Sequence, residues 1–200
     1  MNIAILGGAF DPITLGHLDV CEFVLRHTKM DRIWIMPCHN HPFAKQMANY
    51  PLRLRMIQLS ISHRDPRITW STYERDQELP GETWKTLQSL GRKKCHKQDS
   101  FHWIIGTDEV NVIDKWANVD WLKAKAKFIV VPRQGCVKTD PTGWIFQSPN
   151  IDLSNKGEVG DTSSTEAREA VKKWNLRKLK KMVPDNIIGY IKTQGMYNGA

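Results

Sequence analysis

An α/β fold built on a doubly wound parallel sheet is what this 200-residue sequence predicts. Three observations carry that reading. Apolar runs of strand length alternate with stretches that suit helices, the pattern of βαβ units. The runs IAIL, IWIM and FIVV are apolar on both faces, as strands covered by helices on both sides should be. The residues that follow the runs include Gly, Pro, His and Asp, and ligands in such sheets bind beyond the carboxyl ends of the strands.

The elements follow in order. Ile3–Leu6 reads as the first strand, closed by Gly7–Gly8, and Leu15–His27 as the helix after it. Arg32–Met36 is the second strand and Pro51–Ser62 the second helix, with Pro at its first position. Arg67–Ser71 is a third strand, and Glu82–Leu90 suits a helix. His102–Ile105 and Lys127–Val131 are two further strands, separated by a helical pattern over Val110–Ala126. This order places Gly7–Gly8, Pro37–His41, Gly106–Asp108 and Pro132–Gly135 along one rim. After residue 136 the pattern loosens. GWIFQ (143–147) and NIDLS (150–154) read as short strands, NKGEVGD (155–161) as a loop, and two or three helices finish the chain. We read residues 1–200 as a single domain, with a core over 1–136 and a C-terminal part over 137–200.

Composition narrows the class. Hydrophobic residues make up 40% and charged residues 25%, which suits a soluble protein. No run has the length of a transmembrane helix, so no membrane partner is expected. MNIAILGG has no basic stretch before its apolar run and reads as a first strand rather than a signal peptide. Four dispersed cysteines suggest reduced thiols in a cytoplasm. The net charge of +8 suits anionic partners. The basic run KKWNLRKLKK (172–181) contains one Trp and two Leu, so it reads as an amphipathic helix with a solvated basic face, not a nucleic-acid site. CHNH (38–41) lacks the second ligand pair of structural zinc, and no protein metal site is predicted. The sequence leaves a homo-oligomer open.

GGAFDPITLGH (7–17) is the most informative stretch. A strand, a glycine turn and a helix start present backbone N–H groups to an anion. Glycines at 7 and 8 let a phosphate or ribose approach the main chain. Thr14 and His17 are spaced i, i+3 and share one face of the first turn. Thr14 suits an N-cap, satisfying the helix's own N–H groups. A protonated His17 is poorly placed for the helix dipole, which favours a functional role for it. Neither G-x-G-x-x-G nor G-x-x-x-x-G-K-[ST] occurs.

This stretch resembles the GxFDPx(H/T)xGH signature of the nucleotidyltransferase superfamily. SSTEAR (163–168) resembles its second signature, SSTxxR, in the same order along the chain. Further segments are similar to nicotinate and nicotinamide mononucleotide adenylyltransferases: MPCHNHPFAKQMANYPLRLRMIQLSI, GETWKTLQSL, GTDEVNVIDKWANVDWLKAKAKFIVVPRQG and MVPDNIIGYIKTQGMY. The resemblance covers nearly the whole chain. It implies a Rossmann-like sheet with C-terminal helices and a reaction joining a pyridine mononucleotide to ATP, with dinucleotide and pyrophosphate as products.

The resemblance also implies roles. Gly8, Ala9, Phe10, Thr14, His17, Gly106, Asp108, Ser163, Ser164, Thr165 and Arg168 would meet ATP. Among these, His17, Arg168 and Thr14 would take part in catalysis. Thr14 stands where many relatives have His, so it brings one hydrogen bond and no charge. Lys45, Thr83, Trp84, Trp116 and Arg133 would meet the mononucleotide. Mg²⁺ would arrive on the ATP phosphates. The nucleophile is a phosphate already ionised at neutral pH, so the work is positioning anions and stabilising charge. Two other readings are a phosphopantetheine adenylyltransferase, whose opening motif is also similar, and a nucleotide-binding regulatory protein without turnover.

Overall fold

Six parallel strands form one sheet in the order β3-β2-β1-β4-β5-β6. They are β1 (Asn2–Gly8), β2 (Arg32–Pro37), β3 (Ile68–Trp70), β4 (Ser100–Gly106), β5 (Phe128–Val131) and β6 (Ile151–Asp152). The structure is a computed structural model, and it describes residues 1–40, 46–136, 140, 143–160 and 162–197. The helices are α1 (Leu15–His27), α2 (Tyr50–Ile61), α3 (Tyr73–Asp76), α4 (Thr83–Arg92), α5 (Thr107–Val110), α6 (Val119–Lys125), α7 (Ser164–Lys172), α8 (Leu176–Leu179) and α9 (Asp185–Thr193). None of the described helices is long and apolar enough to cross a membrane.

The two-residue period of a strand sorts the core into two layers. Along β1, Ala4 and Leu6 join one cluster with α1, α2, α7 and α9. Ile3 and Ile5 face the other way, into a cluster with Leu87 and Leu90 of α4 and Leu122 of α6. Ile3 and Ile5 are fully buried, each contributing roughly 1.5–3 kcal/mol of hydrophobic stabilisation. Alternate burial on both faces is why these runs are apolar throughout.

From β1 the sheet grows both ways, since β1 pairs with β2 on one side and β4 on the other. Between β1 and β4 lies the topological switch point, where the loops leaving the strands diverge and open a crevice. The C-terminal part is joined to the same sheet, because β6 pairs with β5 through Ile129–Ile151 and Val130–Asp152.

Three expected elements differ. The helix expected over Val110–Ala126 is broken into α5, a 3₁₀ turn at Ile113–Lys115 and α6. Asn118 takes a left-handed conformation, φ 54°, and starts α6 afresh. Asn is among the few residues that tolerate that region. GWIFQ is not a strand but a 3₁₀ turn over Trp144–Phe146. There the β5 donor Phe128 N–H bonds to the Asn150 side chain at 2.9 Å, so a side chain stands in for a ladder partner. KKWNLRKLKK is not one helix either. Trp174 has φ 46°, and the Asn175 side chain accepts from Lys178 N–H at 3.0 Å, capping α8.

Candidate active site

A cleft of about 560 Å³ opens at the switch point, over the carboxyl ends of β1, β4 and β5. Gly8 and Ala9 leave β1, Gly106 and Asp108 follow β4, and Arg133 follows β5. His17 enters from the first turn of α1, Thr83 and Trp84 from the start of α4, and Trp116 from the break between α5 and α6. Residues from six places in the chain therefore converge, because the parallel sheet aligns three strand ends beneath them.

Gly7 is required by packing. A Cβ there would collide with the indole of Trp103, which forms part of the cleft wall. Phe10 is buried, with φ 49°, and its ring meets His17 edge-on at 5.1 Å between centroids. It supports the histidine from behind rather than lining the cleft.

Thr14 is fully buried and also lies outside the lining. Its backbone N–H donates to His17 Nδ1 at 3.0 Å, and its Oγ1 lies 2.7 Å from the same nitrogen. Nδ1 is thus an acceptor, which places the imidazole proton on Nε2. Burial is the main reason the His17 pKa falls to about 4, with the nearby Arg133 charge adding to it. His17 is neutral in the empty cleft at pH 7.

The first turn of α1 differs from expectation in one respect. Its N–H groups are not left for an anion. Leu15 N–H donates to Met182 O at 2.8 Å, and Gly16 N–H donates to Thr162 Oγ1 at 2.8 Å. The C-terminal helices and the residues before α7 pack against this end and take its donors. What remains there for a ligand is the helix dipole and the His17 side chain.

SSTEAR opens α7, as its capping pattern suggests. Ser163 is the N-cap and accepts from Thr165 N–H at 3.2 Å. Ser163, Ser164, Thr165 and Arg168 do not line the cleft itself, although Thr162, immediately before them, does. Their contacts run instead to the opening loop. Ser164 Oγ donates to Pro12 O at 2.9 Å, and Arg168 Nη1 donates to Asp11 O at 2.7 Å. Arg168 Nη2 also reaches Thr165 Oγ1 at 3.2 Å. Tyr197 donates from its phenol to Asp11 Oδ1 at 2.6 Å, so the C-terminal tail braces the same loop. Lys45 lies outside the described residues.

The cleft also carries aromatic and acidic side chains. The Trp84 indole N–H donates to Glu82 Oε2 at 2.9 Å. The Trp116 indole N–H donates to Glu109, whose pKa is nonetheless raised, chiefly by desolvation and then by Asp108. Arg133 Nε stands 3.8 Å from Asp108 Oδ2, and Arg133 N–H donates to Thr107 Oγ1 at 3.0 Å. The cleft can therefore receive anions at His17 and Arg133. Its indoles offer faces to a flat ring, and a ring bearing positive charge is favoured beside them by both π-faces and carboxylates.

Several lining or supporting residues escaped the sequence reading. Glu82 and Glu109 hold the two tryptophans, and Thr162 and Gly16 join the two helix starts. Arg53 is 1% exposed and donates to Ala48 O, Ala9 O and Cys38 O at 2.9, 2.8 and 3.0 Å. It ties the exits of β1 and β2 to the start of α2. The available signal was an Arg inside the apolar pattern of a helix, but its carbonyl partners come from three places in the chain.

Comparison with known proteins gives a consistent picture. A family model described as cytidylyltransferase-like matches residues 5–170. A protein of Methylacidiphilum infernorum, described as a probable nicotinate-nucleotide adenylyltransferase, is 33% identical over 198 residues, covering 98% of this chain and 92% of its own. One of the same description from a Hydrogenobaculum species is 34% identical over 200 residues, covering 98% of each. The solved structure of Plasmodium falciparum nicotinic acid mononucleotide adenylyltransferase complexed with NaAD superposes with a TM-score of 0.83 at 24% identity. It covers 98% of this chain and 97% of the other, and shows that the fold is shared.

Proposed function

Because the chain belongs to the nicotinate-nucleotide adenylyltransferase family, we propose that it joins nicotinate mononucleotide to ATP, releasing the dinucleotide NaAD and pyrophosphate. The observation that carries this reading is the cleft at the switch point, which brings basic and aromatic side chains together. His17 and Arg133 line it together with Trp84 and Trp116.

A phosphate oxygen of the mononucleotide attacks the α-phosphorus of ATP. The bond from that phosphorus to the β-bridging oxygen breaks, and pyrophosphate leaves with the electron pair. The attacking phosphate is ionised near pH 7, so no side chain need remove a proton. His17 donates from Nε2 to the triphosphate, where charge grows on the leaving group. Gly8, Ala9, Gly106 and Asp108 shape the adenosine and phosphate side, with Phe10 behind them against His17. Arg168, with Ser163, Ser164 and Thr165, holds the opening loop and meets the outer phosphates. Thr14 acts through His17. Trp116 and Trp84 sandwich or wall the pyridinium, Thr83 and Arg133 meet the rest of the mononucleotide, and Lys45 meets its phosphate.

Among the described residues no three His, Cys, Asp or Glu are grouped to hold a metal ion. The donors around His17 and Arg133 suit phosphate oxygens instead. Mg²⁺ would arrive on the phosphates of ATP, whose charge it would neutralise when bound. A reduced cytoplasm is the proposed setting, consistent with free cysteines at 21, 38, 95 and 136. Phosphopantetheine is not the favoured acceptor, since the curated relatives carry the nicotinate-nucleotide description.

The test supplies ATP and Mg²⁺ with nicotinate mononucleotide, nicotinamide mononucleotide or phosphopantetheine in separate reactions. Dinucleotide and pyrophosphate with the nicotinate form support the reading. Binding of nucleotide without product would favour a regulatory protein.

A further inference from the structure

The side chain of Thr162 occupies the N–H of Gly16, while its carbonyl lies 3.1 Å from Thr14 Oγ1. Neither group belongs to the signatures at 7–17 or 163–168. The approach is close: a Cβ on Gly16 would come within 2.6 Å of Gly160 O and 2.8 Å of Thr162 Oγ1. A Cβ on Gly160 would in turn collide with the Asp19 carboxylate. Two glycines therefore let Thr162 reach the first turn of α1.

We infer that Thr162 is a positioning residue, which holds Thr14 against His17 so that the imidazole keeps its proton on Nε2, toward the cleft. The inference rests on the reading of His17 as a donor to phosphate. Three contacts support it. The Thr14 N–H points at Nδ1, so a proton on Nδ1 would oppose it. Thr14 Oγ1 donates to Thr162 O at 3.1 Å and lies 2.7 Å from Nδ1, so Thr162 fixes the Thr14 rotamer while the Thr14 N–H is the donor that commits Nδ1. The Thr162 side chain secures its own main chain through Gly16, independently of Thr14. With Nδ1 committed, the remaining ring nitrogen is the one available where His17 lines the cleft.

Nitrogen-15 NMR of the imidazole reads the tautomer without any substrate, so the outcome is separable from the activity. Wild-type protein should show His17 protonated on Nε2 alone. Thr162→Val should yield mixed tautomers and a kcat lower by roughly tenfold or more, short of the ~10²–10³ lost when such a donor is removed outright. The mononucleotide KM should move much less. Thr162→Ser should restore both the tautomer and kcat. Thr162→Ala serves the same purpose if the valine variant does not fold. A wild-type proton on Nδ1 would overturn the inference. So would a folded Thr162→Val or Thr162→Ala with a single Nε2–H tautomer, whether kcat is retained or lost.

Discussion

Arg168 of α7 donates to the main-chain oxygen of Asp11 at 2.7 Å, joining two motifs that lie near opposite ends of the chain. The opening loop is thus held by a helix whose arginine lies 157 residues further along the chain. Arg168→Ala should remove that brace and a cation together. We expect kcat to fall by roughly 10²–10³, as for loss of a preorganised donor, with a smaller change in mononucleotide affinity. Steady-state kinetics alongside direct mononucleotide titration measures both. Equal loss in the two would assign Arg168 a structural role only.

Protonation of His17 should depend on ATP. Burial and Arg133 hold its pKa near 4 in the empty cleft, whereas triphosphate supplies negative charge that favours the imidazolium. The pKa followed by NMR should therefore rise when ATP is added. An unchanged value would contradict the placement of phosphate at His17.

The same depressed pKa has a consequence for stability. The folded-state value lies below the unfolded one of about 6.5, so the unfolded chain binds the proton first. The contribution of neutral His17 is present in full above pH 6.5 and is lost as the pH falls toward 4. Denaturant melts of His17→Gln should be less sensitive to pH in this window than those of the wild type.

How much of this was legible in the sequence depends on how local each feature is. Leu15–His27 was read with the observed limits of α1, because a glycine turn, a cap and an amphipathic period all lie within the segment. The strands β1, β2 and β5 were found because burial on both faces leaves continuous apolar runs. The break in Val110–Ala126 was not legible, since Asn118 enters the left-handed region in a stretch otherwise compatible with helix. The partners of Gly16 were hidden for a different reason: an unbonded N–H at a helix start looks free until distant residues are placed on it. Arg53 shows the same limit, with one guanidinium satisfied by three loops.

Arg53→Lys should test that junction. An ammonium cannot span the three carbonyls as the planar guanidinium does. Losing one or more charge-assisted hydrogen bonds at a buried site should cost about 2 kcal/mol or more. Chemical denaturation would register it, and an unchanged midpoint would remove Arg53 from the account of how the rim is held.

The aromatic wall makes a separate demand. Glu109→Leu should free the Trp116 indole N–H and raise the mononucleotide KM by about fivefold, the loss of roughly 1 kcal/mol, while the ATP KM stays nearly constant. Glu109→Gln retains an acceptor and should lose less. A rise in the ATP KM instead would place Trp116 on the wrong substrate.

The central claim is direct transfer of an adenylyl group from ATP to a pyridine mononucleotide in this cleft. Nicotinate mononucleotide labelled with oxygen-18 on its phosphate tests it most directly, with ATP and Mg²⁺ and with His17→Ala run beside the wild type. The account predicts NaAD carrying all the label, unlabelled pyrophosphate, and a marked loss of rate in the variant. Absence of the dinucleotide, or label in the pyrophosphate, would contradict it.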